Sequence, residues 1–150
     1  MPTITPFLWF ENQAEQAMEH YLSIFKNGRA VDVNRLGDGV LTVTFELEGQ
    51  RFIGLNAGPH DKFNEAVSFF VNCETQQEID YYWEKLLAGG SESGPGWLKD
   101  KFGVSWQVIP TALGRLMSDP NPAKGRATVE AMMTMRKLVI ADLQKAHDEA

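Results

Sequence analysis

Residues 96–110, GWLKDKFGVSWQVIP, decide how the chain reads. Trp97 and Leu98 lead into the charged turn Lys99, Asp100 and Lys101, and an alternating run follows from Val104 to Ile109. In a strand successive side chains take opposite faces, so Ser105, Gln107 and Ile109 share one face and Val104, Trp106 and Val108 the other. Pro110 ends the run because it has no N–H to give a neighbouring strand. Trp106 is expected to pack under a helix, and the Lys99-Asp100-Lys101 turn to be solvated, with steering of an anionic substrate at a cleft mouth as the alternative.

Working outward, the segment before this hairpin gives a strand at 66–72 (AVSFFVN) and a capped helix start at Thr75 with Glu78. Ile79, Tyr82, Trp83, Leu86 and Leu87 form the apolar face of that helix, which Gly89-Gly90 stops. The stretch 91–98 completes a unit of order β-α-β-β-β with one strand weak or missing. An earlier unit has the same order. Residues 3–10 (TITPFLWF) are β-prone, and Asn12 with Glu15 resembles a capping box. Ala14, Ala17, Met18, Tyr21, Leu22 and Phe25 then recur at helical spacing over 12–26. Strands are expected near 29–36, 39–47 and 51–56, separated by Gly37-Asp38-Gly39 and Glu48-Gly49. Beyond 110 the chain reads as a helical tail, interrupted by Pro120 and Pro122, with Val129, Met132, Met133 and Met135 as its apolar stripe. A last charged helix near 140–148 is expected to be solvated.

The expectation is therefore an α+β fold within a single domain, 1–150. Two β-α-β-β-β modules, about 3–56 and about 65–110, form a curved mixed sheet around a cleft, and a helical tail covers about 111–150. The composition narrows the function. Net charge is −6, with Lys and Arg scattered, which opposes binding to phosphate backbones or anionic lipid, so neither nucleic acid nor a membrane is an expected partner. No stretch reaches the roughly 18 apolar residues of a membrane span, and the first residues lack the pattern of a signal peptide. A single cysteine, Cys73, agrees with a reducing, cytoplasmic setting.

PFLWF, the helix ending in HYLSIF, RFIGLNAGP, KFNEAVSFFVNC and GWLKDKFGVSWQVIP together resemble a PhnB-like protein of the vicinal oxygen chelate superfamily. That superfamily contains glyoxalase I, extradiol dioxygenases and bleomycin-resistance proteins, and the similarity runs over about 3–145. The branch carries the label 3-demethylubiquinone 3-methyltransferase. The resemblance implies a homodimer, and in the superfamily's enzymes a divalent metal held by His, Gln or Glu from four strands, acting as a Lewis acid. The matching positions here are Thr5 or Pro6, Gly54, Ala66 and Gln107. A lone amide does not hold a transition metal against water, so no metal and no cofactor is expected. The glycine pairs Gly37/Gly39, Gly89/Gly90 and Gly94/Gly96 lead into strands rather than opening helices, which speaks against methyl transfer from S-adenosylmethionine.

By the superfamily pattern, Gln107 and Ser105 face the cleft, and the same alternation turns Phe52, Gly54 and Asn56, Ser68 and Phe70, and Phe7 and Trp9 inward. Trp97 is divided between rim packing and stacking on a ligand. The expected ligand-binding set is Phe7, Trp9, Asn56, Ser68, Phe70, Trp97, Ser105 and Gln107, suited to a small aromatic or apolar metabolite oriented by a few hydrogen bonds. No catalytic residue is assigned. His60 with Asp61 is the one histidine to watch, Glu11 is read as exposed, and Cys73 as a small buried hydrophobe. Two functions stay open, a metal-independent binding protein, as in the drug-sequestering members, or a metal-dependent isomerase, lyase or dioxygenase, with the methyltransferase of the family label as the last alternative.

Overall fold

The computed structural model describes residues 2–150. The chain divides into two compact units, the first ending at Phe63 and the second running from Asn64 to Ala150. In the first, β1 (Phe7–Phe10), α1 (Ala14–Ile24), β2 (Gly28–Leu36), β3 (Gly39–Leu47) and β4 (Gln50–Asn56) form a four-stranded sheet of order β1-β4-β3-β2. β1 runs parallel to β4, and the other pairs are antiparallel. The second unit repeats the order with β5 (Ser68–Cys73), α2 (Gln76–Leu87), β6 (Ser91–Gly94), β7 (Trp97–Lys99) and β8 (Ser105–Pro110), in the order β5-β8-β7-β6. The strand expected to be weak or missing is therefore present as β6, antiparallel to β7.

Each helix covers one face of its own sheet. Ala14, Ala17, Met18, Tyr21 and Ile24 of α1 are buried with Leu8, Phe10, Val43, Phe45, Leu47 and Phe52. Phe45 stacks on Phe52, ring centroids 5.5 Å apart. In the second unit Ile79, Trp83 and Leu86 of α2 are buried with Leu98, Trp106 and Val108. Thr75 and Glu78 make the expected capping box: the Thr75 side chain accepts from the Glu78 N–H, and the Glu78 carboxylate accepts from the Thr75 N–H at 3.2 Å.

The capping box read at Asn12 and Glu15 is not formed. Helix α1 has Gln13 at its N-cap with no side-chain bond there, and its first N–H, from Ala14, is taken at 2.8 Å by Oδ1 of Asn56. A side chain from the end of β4 thus satisfies a donor that local sequence would otherwise satisfy.

The tail forms α3 (Thr111–Met117), α4 (Pro122–Met132) and α5 (Ile140–Asp148). Its core is not the stripe read from the sequence, since Val129 and Met133 are exposed. Leu113, Leu116, Leu138 and Leu143 instead gather on Ile109 of β8, with Met132 and Met135 partly buried against them. Helix α5, expected to be solvated, buries Leu143 at 1% exposure. Backbone and side-chain hydrogen bonds hold the tail to its sheet unit. Gln76 Nε2 donates to the Leu138 carbonyl and its Oε1 accepts from the Ile140 N–H, while the Gly96 N–H donates to the Arg136 carbonyl at 2.7 Å. Gly96 has φ +75°, and a Cβ there would stand 2.7 Å from Ile109 Cδ1.

Candidate functional site

The face of each sheet turned away from its helix is fixed by strand pairing, because paired residues share a face. In the second unit Phe70 of β5 pairs with Gln107 of β8, which pairs with Trp97 of β7. The row Phe70, Gln107, Trp97 therefore crosses three strands on the face opposite Trp106 and Val108. The next row holds Ser68, Ser105 and Lys99, and the row on the other side Asn72 and Ile109. Five of the residues expected in the site, Ser68, Phe70, Trp97, Ser105 and Gln107, thus come together on one face.

Their polar groups are partly committed. Gln107 Nε2 donates to Ser68 Oγ at 2.9 Å. Among the described residues no partner is engaged by Gln107 Oε1, so an acceptor and a second amide hydrogen remain for a ligand. Phe70 is 57% exposed, and Trp97 and Gln107 are half-buried. Ser105 is buried, and its hydroxyl donates at 3.4 Å to the Asn64 carbonyl, so the segment before β5 covers it. Lys99 pairs with Glu65 of that segment, and the hydrogen bond from Lys99 holds the Glu65 carboxyl below its usual pKa.

In the first unit Phe7, Ile53 and Thr44 share one row of the face away from α1, and Trp9, Leu55 and Thr42 the next. Phe7 is 55% exposed, and Trp9 Nε1 donates to the Gly58 carbonyl at 2.9 Å. Phe7 and Trp9 therefore lie on the open face as expected, but the β4 assignment is corrected. Phe52, Gly54 and Asn56 belong to the opposite, helix-covered face. A Cβ on Gly54 would stand 3.0 Å from Val43, 3.3 Å from Phe10 and 3.4 Å from Ala14. Asn56, placed in the ligand set by the sequence, spends Oδ1 on Ala14 N–H and Nδ2 on the Val40 carbonyl. The physical reason is the parallel register of β1 on β4: Phe7 sits opposite Ile53, so its face cannot also carry Phe52.

A second correction concerns the Lys99-Asp100-Lys101 turn. Asp100 is 3% exposed; its Oδ1 accepts from the N–H groups of Phe102 and Val104, and its Oδ2 accepts from Trp106 Nε1. The turn is built around a buried carboxylate rather than solvated throughout. Cys73 is buried, and burial, then the Glu78 charge, pushes its thiol up to about 11, far from a reactive thiolate. His60, Asp61 and Glu11 are exposed.

These positions do not make a metal ligand set. Gly54 faces the helix, Thr5 and Pro6 precede β1, Ala66 precedes β5, and Gln107 is an amide bonded to a hydroxyl. Among the described residues no three His, Cys, Asp or Glu side chains are grouped to hold a metal ion. No helix among them is long and apolar enough to cross a membrane.

Residues 2–109 match the family model described as 3-demethylubiquinone-9 3-methyltransferase. The chain belongs to this family. A solved relative from Bacillus cereus, described as a putative 3-demethylubiquinone-9 3-methyltransferase and PhnB protein, is 36% identical over 73% of this chain and 100% of its own, with TM-score 0.69. The fold is also that of a glyoxylase/bleomycin resistance protein/dioxygenase domain from Frankia, at 13% identity, TM-score 0.52, and 73% and 92% coverage of the two chains. The fosfomycin resistance protein FosX from Mesorhizobium loti shares it at 11% identity and TM-score 0.53, over 71% of this chain and 89% of that one. No functionally curated protein matches the sequence. The glyoxalase/bleomycin-resistance fold of this PhnB-like family member is thus established, while α3, α4 and α5 lie beyond the matched residues.

The family's title names a methyl transfer, and the common glycine-rich cradle for such a cofactor opens a helix directly after a strand. Here the β1–α1 connection reads Glu11-Asn12-Gln13 and the β5–α2 connection Glu74-Thr75, without glycine. Neither connection builds that cradle. Sequence reasoning missed Glu65 as the partner of Lys99, which its spacing from Trp97 on one strand places on this face.

Proposed function

We propose that this PhnB-like protein binds a small aromatic metabolite without a metal, on the part of its second sheet's face away from α2 that the tail at Ile109 and the segment over Ser105 leave uncovered. The observation that carries this reading is the row Phe70, Gln107, Trp97: two aromatic side chains flank an amide whose acceptor is unspent. Aromatic surface supplies most of the affinity, and a few fixed polar groups set orientation. Ser68 serves as the positioning partner that holds the Gln107 amide in one flip. Phe7 and Trp9 give the open face of the first sheet the same aromatic character.

The ligand-sequestering role fits the donor chemistry better than a metal-centred isomerase, lyase or dioxygenase reaction, because the four corresponding positions supply one amide and no carboxylate, thiolate or imidazole. A homodimer and a cytoplasmic setting remain part of the proposal. Sedimentation showing a monomer at micromolar concentration would remove the first.

The test is thermal unfolding of chelator-dialysed protein, first with manganese, nickel, zinc or iron added, then with aromatic metabolites. Stabilisation by aromatic compounds alone supports the proposal, since a ligand that binds the native state raises its stability by mass action. About one tightly held metal per chain, with stabilisation by that metal, would overturn it.

A further inference from the structure

Lys99 lies one row from the aromatic row on the same face: it pairs with Ser105, which pairs with Ser68. Two residues along a strand separate the rows by about 7 Å, a span that a two-ring ligand bearing a terminal group bridges. The ammonium is already engaged by Glu65, but the two halves of this ion pair are not equally fixed. Lys99 belongs to β7, which is paired on both sides, and its side chain is 35% exposed. Glu65 stands on irregular backbone before β5, and its side chain is 53% exposed. Among the described residues the adjoining Asn64 carbonyl accepts the 3.4 Å bond from Ser105, long for a hydroxyl donor, and within the segment the Ala66 N–H donates to Asn64 Oδ1. The cation is therefore the fixed partner and the carboxylate the replaceable one.

We propose that the ligand of this face is an aromatic carboxylate, with its rings on Trp97 and Phe70 and its carboxylate taking the place of Glu65 on Lys99. This rests on the reading of the face as a ligand site. Exchanging one carboxylate for another keeps the ion pair, so the cation is never left uncompensated, and Glu65 returns to water at small cost. A neutral analogue has no means of making that exchange. A cationic ligand would have to displace a lysine anchored on the sheet. Once Glu65 leaves, the segment over Ser105 loosens, and the Ser105 hydroxyl can turn its one proton from the Asn64 carbonyl to the ligand carboxylate.

The experiment is calorimetric titration of 2-naphthoate and its neutral counterpart 2-naphthamide into the full chain and into Lys99→Met, Lys99→Arg, Glu65→Gln and Trp97→Ala. The expected result is a preference for the acid of about fivefold, the upper end for a partly exposed ion pair. Lys99→Met should erase the preference, and Lys99→Arg should keep it. Removing the internal competitor in Glu65→Gln should tighten naphthoate about threefold, and naphthamide not at all. Equal affinities in the unmodified chain, both lost in Trp97→Ala, would overturn the carboxylate assignment and leave the aromatic face standing. Failure of both probes to bind would overturn the face and the assignment together.

Discussion

Asp100 Oδ2 accepts a 2.9 Å hydrogen bond from the indole Nε1 of Trp106, with both residues buried. This pair joins the turn after β7 to the helix-covered side of β8, and so sets the register that puts Gln107 beside Trp97 on the other side. Replacing Asp100 by Ala strands three donors, the N–H groups of Phe102 and Val104 and the indole. A loss of about 3 kcal/mol in urea-unfolding stability is expected, in the range for breaking a buried charged network. Trp106→Phe removes only one of these bonds and should cost less. A double-mutant cycle on the two should show clear non-additivity, and additive losses would contradict the coupling.

With both side-chain groups engaged by backbone, Asn56 is expected to act on stability and not on ligand binding. Asn56→Ala exposes the first N–H of α1 and should cost about 1 kcal/mol, the usual worth of a helix cap. Titration of this variant with an aromatic ligand should give the affinity of the unmodified chain. A large loss of affinity at unchanged stability would return Asn56 to the site.

Much of the architecture was legible because each unit repeats strong local signals: alternation in β3 and β8, the Thr75 capping box, and glycine turns at the ends of strands. The misses share one cause, which is that the deciding partner lies far away in sequence. β4 reads Phe52, Ile53, Gly54, Leu55, apolar on both faces, so hydrophobicity could not orient it, and only pairing with β1 does. β6 is Ser-Glu-Ser-Gly, a polar edge strand that owes its form to β7. Leu138 lies in the link between α4 and α5 and Leu143 on α5, outside the helix that carries Met132, and their burial follows from docking on Ile109. For the site, the second-sheet residues were legible because one strand's alternation places them, whereas the inward turn of Asp100 needed Trp106 six positions on.

The docking of α5 should depend on pH. His147 lies between Asp148, 3.0 Å from its Nδ1, and Asp119, 2.9 Å from its Nε2, and these hydrogen bonds raise its pKa above the ordinary imidazole value. The folded chain holds this proton more tightly, so the stabilisation is complete below the ordinary imidazole pKa and is lost as pH rises through the raised one. Asp119, held low by the Asn121 N–H and then by His147, and Asp148, held low by His147 and then by Gln144, contribute in the opposite sense. Their part is present above the ordinary carboxylate pKa and lost as pH falls through the lowered values. Amide exchange at Leu143, corrected for its intrinsic pH dependence, should be slowest between the two limits. His147→Gln should flatten the alkaline side, and an unchanged profile would contradict the assignment.

Cys73 should resist alkylation in the folded protein. With its thiol pushed up to about 11 and the side chain buried, iodoacetamide at pH 8 should modify it only after denaturation. Rapid labelling of the native chain would show that β5 opens readily.

The central claim, an aromatic ligand held by Gln107 without a metal, is tested most directly by calorimetric titration of 2-naphthoate in the presence of excess chelator, comparing the unmodified chain with Gln107→Ala. The account predicts one site per chain in chelator and an affinity about tenfold weaker in the variant, the equivalent of roughly 1.4 kcal/mol from lost polar contacts. Binding that appears only when a divalent metal is restored, or that is indifferent to Gln107, would contradict it.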